Sequence, residues 1–281
     1  MISMKVKDRR ETAAAVLKYV FLALGLVLLL FPFMYMFTSS LKTASEATAI
    51  PPVWFPKVPQ WDNYAHAWSA KPFAIYFRNT FIVCTIVVGM TLIFSIMGAF
   101  AFTIYIFPAK QILFFLFMLT MMVPEELLVI QNYITVSNLN LIDTYLGIAF
   151  PSIANGFYIF MLREHFTQMP SSLFKAAKMD GCSEWKYLWR IVVPMNKNAI
   201  YTIGILSFIG EWNAFMWPNM VTRNDTHRMI TSGLATFRNN TASSYHFLMA
   251  ASCIVILPII ILYIFFRKQI ISGVADGGIK G

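Results

Sequence analysis

The sequence predicts an all-α integral membrane protein of about six transmembrane helices with cytoplasmic termini, and three observations carry that prediction. Of 281 residues, 58% are hydrophobic and 12% charged, against about 45–50% and about 25% in soluble domains. Mean hydropathy is +0.63, and 26 Phe and 17 Met exceed what one water-facing core can bury, so lipid takes up the surplus. Several stretches also reach the roughly 20 apolar residues that cross a bilayer.

Tyr19 to Leu41 is the first such stretch, uncharged and preceded by Lys5, Lys7, Arg9 and Arg10. It is too long for a cleaved signal and lacks a small-residue cleavage site, so Phe31-Pro32-Phe33 reads as the outer end of a retained helix. Asn79 to Ala109, Thr144 to Leu162 and Phe247 to Phe266 carry no charge either. Two further spans are less clean. Ile112 to about Ser137 contains Pro124, Glu125 and Glu126, and Asn198 to about Val221 contains Glu211 and ends near Pro218.

Six spans with an inner N-terminus divide the chain into a cytoplasmic segment 1–18, a transmembrane domain 19–266 with a long cytoplasmic loop 163–197, and a cytoplasmic tail 267–281. The inner segments then hold 15 Lys plus Arg and the outer segments 7, which agrees with the positive-inside rule. The net charge of +9 is thereby explained by the anionic cytoplasmic leaflet, with no nucleic acid required. Between the first two spans, Pro51-Pro52, Pro56, Pro59, Trp54, Trp61 and Trp68 describe an irregular interfacial segment or a packing strap over helix ends.

The 3 cysteines, Cys84, Cys182 and Cys253, are far apart and lack metal-ligand spacing, and His66, His165, His227 and His246 lie outside spans or at their ends. No metal site and no hydrolase constellation is expected. The chain also has no Gly-x4-Gly-Lys-Ser/Thr with which to hold nucleotide phosphates.

Loop 163–197 carries the most information. Pro170 with Ser171 or Ser172 starts a helix, Asp180-Gly181 breaks it, and Ser183 caps a second helix that Val193-Pro194 ends. Trp185, Leu188, Trp189 and Val192 fall at i, i+3, i+4 and i+7, an expected apolar stripe toward the membrane domain. By physics alone this is equally a knob for a partner's socket or an interfacial hairpin with no partner.

The spacing Ala176-Ala177-x3-Gly181-x9-Ile191-x2-Pro194 resembles the Glu-Ala-Ala loop of maltose-type, binding-protein-dependent ABC importer permeases. The segment Glu211-Trp212-Asn213-Ala214-Phe215-Met216-Trp217-Pro218 and the terminal Gly273-Val-Ala-Asp-Gly277-Gly278-Ile-Lys280-Gly281 are similar to segments of the same family. The resemblance covers about residues 70–281 and implies the type I importer permease fold. It also implies a second permease subunit, two ATPase subunits carrying ATP and Mg, and an external solute-binding protein, with no cofactor on this chain. Lys175, Ala176, Ala177, Asp180, Gly181, Ile191 and Pro194 would then couple to the ATPase, with Gly277, Gly278 and Lys280 running toward the same interface. Lys175 departs from the family, which has Glu there. It gives up a capping-box acid worth about 0.5–1 kcal/mol and reverses the charge offered to the partner.

Acids at membrane depth must face a cavity, a partner or the interface. Glu125, Glu126, Glu211, Asn213 and Trp217 are therefore candidates for the translocation path, with Pro124 expected to unwind the backbone beside a watery space. Aromatic belts explain the tryptophans equally well. The polar segment Thr222 to Tyr245 is expected to meet the binding protein. The function implied is carbohydrate import, with glycerol phosphate import as a variant and an ion-coupled secondary transporter as the reading from another class.

Overall fold

The computed structural model describes residues 2–236 and 245–278, with side chains over 12–236 and 245–267, and the described residues contain helices, turns and no strand. In chain order the helices are α1 (Ile2–Ser40), α2 (Ala44–Ala47), α3 (Asp62–Ala70), α4 (Phe73–Ile104), α5 (Lys110–Thr120), α6 (Val129–Asn138), α7 (Tyr145–Ala149), α8 (Gly156–Thr167), α9 (Ser171–Met179), α10 (Glu184–Tyr187), α11 (Val193–Met195), α12 (Lys197–Asn213), α13 (Met216–Val221), α14 (Ile230–Ala235) and α15 (Tyr245–Gly278). They form two compact units, one of residues 1–71 and 236–256, the other of 72–235 and 257–281.

In the first unit, α1 holds an apolar span, Thr12–Ser40, with none of its most apolar window buried within the chain; that surface meets lipid or a partner. The proline-rich segment packs as a strap on the end of α1. Trp54 lies 5.9 Å from the rings of both Phe31 and Tyr35, and Trp61 stacks on Tyr64 at 6.2 Å. The buried Asn63 amide donates to the carbonyls of Ser40 and Lys42 at 2.8 and 2.9 Å, satisfying carbonyls that the end of α1 leaves free.

In the second unit, α4 is the central element and packs on both α8 and α12. Ile96, Ala99, Phe100, Leu162 and Ile203 are buried together along those helices, with Leu188 from the turn after α10. Small side chains permit the approach: a methyl group on Gly98 would sit 3.2 Å from Ile159.

Among the described residues, three single helices are long and apolar enough to cross a membrane: Thr12–Ser40, Phe73–Ile104 and Tyr245–Arg267. Two bent pairs add a span each if each pair is counted as one: Lys110–Thr120 with Glu125–Asn138 at 89°, and Tyr145–Ser152 with Gly156–Thr167 at 53°. The sixth expected span is the 17-residue α12, followed by the short α13.

Two expectations need correction. Thr144 to Leu162 is not one uninterrupted helix, because Pro151 tightens the chain into a 3₁₀ turn at Phe150–Ser152 and Asn155 restarts it by capping the Phe157 amide at 2.9 Å. The span begun at Asn79 ends at Ile104, short of Ala109, since the following residues lead into Pro108 and Ala109 takes φ +60°. The span expected at Phe247 to Phe266 falls within the apolar stretch Tyr245–Arg267 of α15, and the helix runs on through Gly277 and Gly278; Lys280 lies outside the described residues.

Candidate functional site

The loop after α8 folds as the expected helix, turn and helix. α9 closes with Cys182 N donating to Ala177 O at 2.9 Å and Gly181 N to Lys178 O at 3.1 Å. These paired bonds require a left-handed residue after the helix, and Gly181 supplies it at φ +70°. Ser183 then caps α10 by accepting from Lys186 N at 3.3 Å. Across the turn, Lys178 Nζ and Glu184 Oε1 pair at 2.7 Å. Lys178 first, then the Tyr105 hydroxyl, holds the Glu184 carboxyl below its usual pKa. A depressed carboxylate contributes above its unfolded pKa and fails only as pH drops through the lowered value, so the clasp is intact at neutral pH.

The loop is anchored by Ala177, Tyr187, Leu188 and Val192, buried with Phe100, Leu162 and Phe166. Tyr187 lies 5.1 Å from the Phe174 ring. The expected stripe is half right. Leu188 and Val192 are buried, but Trp185 and Trp189 are exposed and meet edge-on at 5.7 Å. A π turn at Leu188–Val192 adds a residue to the turn that holds Trp189 and shifts the face it presents; Trp185 lies before it, in α10. Lys175, Ala176, Asp180, Gly181 and Pro194 present themselves to solvent, Ile191 is half-buried, and Ala177 points into the chain's own core. The second helix also outlasts the expected stop, since Pro194 sits inside α11, where a missing amide is tolerated at a helix start.

Beyond α5 and around the end of α12 lies a second candidate, a cavity of about 660 Å³. The breaks of both bent pairs line it, Met121 to Glu126 from one and Pro151 to Gly156 from the other, with Glu211 and Ala214 to Trp217 completing the wall. Pro124, extended at ψ 131°, opens the α5 end as its sequence suggests. Gly156 lets the two breaks approach: a methyl there would stand 3.1 Å from Thr120 Oγ1 and 3.2 Å from Phe117 O.

Glu125, Glu126 and Glu211 all line this cavity, and among the described residues no Lys or Arg does. Glu125 and Glu126 are exposed, whereas Glu211 is 5% exposed. Trp217 lines the wall with its indole N–H fixed to Ile148 O at 2.9 Å. Asn213 does not join them. Two residues along a helix are about 200° apart, so Asn213 faces away from Glu211, exposed, and its amide bonds Ile209 O at 2.9 Å. Trp212 is wholly buried and stacked on Phe208 at 5.7 Å, a packing residue with no face left for a solute. Asn132, Ser152 and Asn155 are cavity residues that sequence reading misses, although the turn residues Pro151 and Asn155-Gly156 signal the break that brings two of them there.

The polar segment after α13 is strapped to the same unit. Buried Asn79 donates to the carbonyls of Thr226 and Arg228 at 2.9 and 3.0 Å and accepts from Tyr145 at 2.8 Å. Tyr76 donates to Asp225 at 2.8 Å, and Ile230 N to Thr80 at 2.9 Å. The part at 237–244 lies outside the described residues.

Comparison with known proteins gives one consistent result. Residues 4–275 match the family described as binding-protein-dependent transport system inner membrane component. The chain is 33% identical over 260 residues to the arabinooligosaccharides transport system permease protein AraQ of Bacillus subtilis (strain 168), covering 91% of this chain and 92% of that one. It is 26% identical to the sn-glycerol-3-phosphate transport system permease protein UgpE of Yersinia pestis bv. Antiqua (strain Antiqua), covering 92% and 95%. Among solved structures, a chain of a bacterial ABC transporter involved in the import of the acidic polysaccharide alginate aligns with a TM-score of 0.80 at 24% identity, covering 92% of this chain and 97% of that one; at that identity the likeness is one of fold.

Proposed function

The chain belongs to the family of binding-protein-dependent transport system inner membrane components, and from that premise we propose that it is the permease subunit of an ATP-driven importer for a neutral oligosaccharide. Family membership replaces the ion-coupled secondary transporter, and the activity is transport, with hydrolysis left to partner subunits. A second permease completes the pore, two ATPase subunits hold ATP and Mg, and a solute-binding protein delivers the sugar.

The exposed rim of the loop, Lys175, Ala176, Asp180 and Gly181, forms the docking knob, with Ala177 and Ile191 holding it to the membrane domain and Pro194 at its exit. A compact turn on a rigid base transmits displacement well, because core packing is bistable and resists continuous deformation. ATP-driven closure of the ATPase pair moves the knob, and the packing of α9 to α11 against α4 and α8 carries that motion to the spans. Gly277 and Gly278 extend α15 toward the same partner, with Lys280 beyond.

The observation that carries the substrate reading is the cavity wall. Its volume falls within the roughly 300–1,000 Å³ of ligand pockets, and it offers three carboxylates and two asparagine amides without a cation. Carboxylates accept from sugar hydroxyls and repel phosphate and uronate groups. A glycerol phosphate would therefore meet the wrong charge.

Uptake into vesicles bearing the full complex tests this. Neutral arabino-oligosaccharides are expected to be taken up and to compete with one another, with glycerol phosphate and uronate oligosaccharides inert. Glu211→Gln is expected to lower uptake about tenfold, the loss of one charge-assisted hydrogen bond. Transport of an anionic solute at a rate equal to the neutral one contradicts the reading.

A further inference from the structure

A second cavity, of about 370 Å³, lies between the coupling loop and the membrane helices. Its wall gathers Lys110 from the start of α5, Arg163 from the end of α8 and Lys175 from α9. These cations come from three separate segments, and no sequence motif announces them. Lys110 Nζ donates to the main-chain carbonyls of Thr103 at 3.2 Å and Tyr105 at 2.8 Å. Arg163 stands near enough to Lys110 for the two charges to repel.

The Arg163 guanidinium lies 4.2 Å over the Phe114 ring and pairs through NH1 with Glu164 at 2.6 Å, while its Nε is buried without a hydrogen-bond partner among the described residues. Lys175 forms no ion pair among the described residues. Glu164 pairs with Arg163, and among the described residues that line the cavity there is no carboxylate. Ser171, the first residue of the 9-residue α9, joins the wall, and that helix start has no side-chain cap.

We propose that this cavity binds a phosphate group, carried by the headgroup of an anionic phospholipid. Arg and Lys donors converging from three segments match a multi-oxygen anion. The start of α9, which no side chain caps, presents a positive helix end that favours the same ligand. The cavity sits where α4 ends, α5 begins and α8 ends, so it lies at headgroup depth, and the positive-inside orientation places it in the cytoplasmic leaflet. Phe100, Phe102 and Phe174 flank the cations and suit the glycerol and upper acyl carbons. A lipid held there ties the coupling loop to the bilayer. The site depends on the orientation of the chain and not on the transported solute.

The test uses the complete transporter, purified, delipidated in detergent and titrated with dihexanoyl phosphatidylglycerol, with dihexanoyl phosphatidylcholine and with inorganic phosphate in separate arms at constant ionic strength. Native mass spectrometry reads lipid retention, and thermal melting reads all three arms. Phosphatidylglycerol is expected to bind at least about tenfold more tightly than phosphatidylcholine, and Lys175→Glu, an exposed substitution, to weaken it by at least tenfold. Lys186→Glu, in the same loop but away from the cavity, is expected to leave its affinity unchanged. Protection by inorganic phosphate that Lys175→Glu abolishes supports the anion site with a soluble source. Equal affinity for both lipids with no protection by phosphate, or an affinity for phosphatidylglycerol that neither Lys175→Glu nor Arg163→Gln changes, overturns the proposal.

Discussion

Gly181→Asp is expected to stop ATP-driven uptake, by at least about tenfold, in a transporter that still inserts and assembles. A side chain at residue 181 meets nothing within 4 Å inside this chain, and the cost to folding is the left-handed backbone at φ +70°. For non-glycine residues that cost is about 1 kcal/mol, and Asp is among those that tolerate it. The turn also keeps its two closing bonds and the Lys178–Glu184 pair. The damage is expected on the proposed docking surface, where a carboxylate would fill the space that a partner enters, an unpaired charge at an interface core. Uptake and ATP hydrolysis measured together in reconstituted vesicles separate the cases. Hydrolysis without uptake, or loss of both with normal assembly, fits docking at the turn. Normal uptake assigns coupling elsewhere. Gly181→Ala, which brings the strain without the charge, is expected to retain most of the transport.

Gly147→Ala is expected to fail one step earlier, in folding. Its new methyl would lie 2.0 Å from the Leu141 carbonyl oxygen and 3.2 Å from Val136. That carbonyl cannot withdraw. It accepts from Thr144 Oγ1 at 2.7 Å, the same hydroxyl accepts from Gly147 N at 3.0 Å, and Leu141 N is bonded to Val136 O at 3.0 Å. Asn140 and Asp143 on either side already take φ of +56° and +59°, so the loop holds no slack. Overpacking of this kind costs about 1–3 kcal/mol, and backbone contact places it at the upper end. The melting temperature of the purified complex is expected to drop by several degrees, with lower membrane yield. An unchanged melt means the loop is looser than these bonds imply.

Several features are legible in the sequence because they depend on neighbours along the chain. Pro124 opens its span, Asp180-Gly181 turns the loop, and Ser183 caps α10, each a local constraint that tertiary packing leaves in place. What escaped depends on geometry that a uniform helix does not have. The absence of charge from Thr144 to Leu162 outweighed the turn residues Pro151 and Asn155-Gly156, and so an expected straight span hid half of the cavity wall. A π turn at Leu188–Val192 takes Trp189 off the expected buried stripe. Pairing Glu211 with Asn213 ignored the 200° between them. The grouping of Lys110, Arg163 and Lys175 arises only when α4, α5, α8 and α9 pack, a level at which sequence spacing carries no signal.

The most direct test of the central claim is to purify the tagged chain from its native membrane in mild detergent and weigh its stoichiometric companions by mass spectrometry. An ATPase subunit and a second permease, recovered in defined ratio with ATP hydrolysis that a solute-loaded binding protein stimulates, is the predicted result. Recovery of this chain alone, or only with copies of itself, would contradict the importer assignment and with it the docking role of the turn at Gly181.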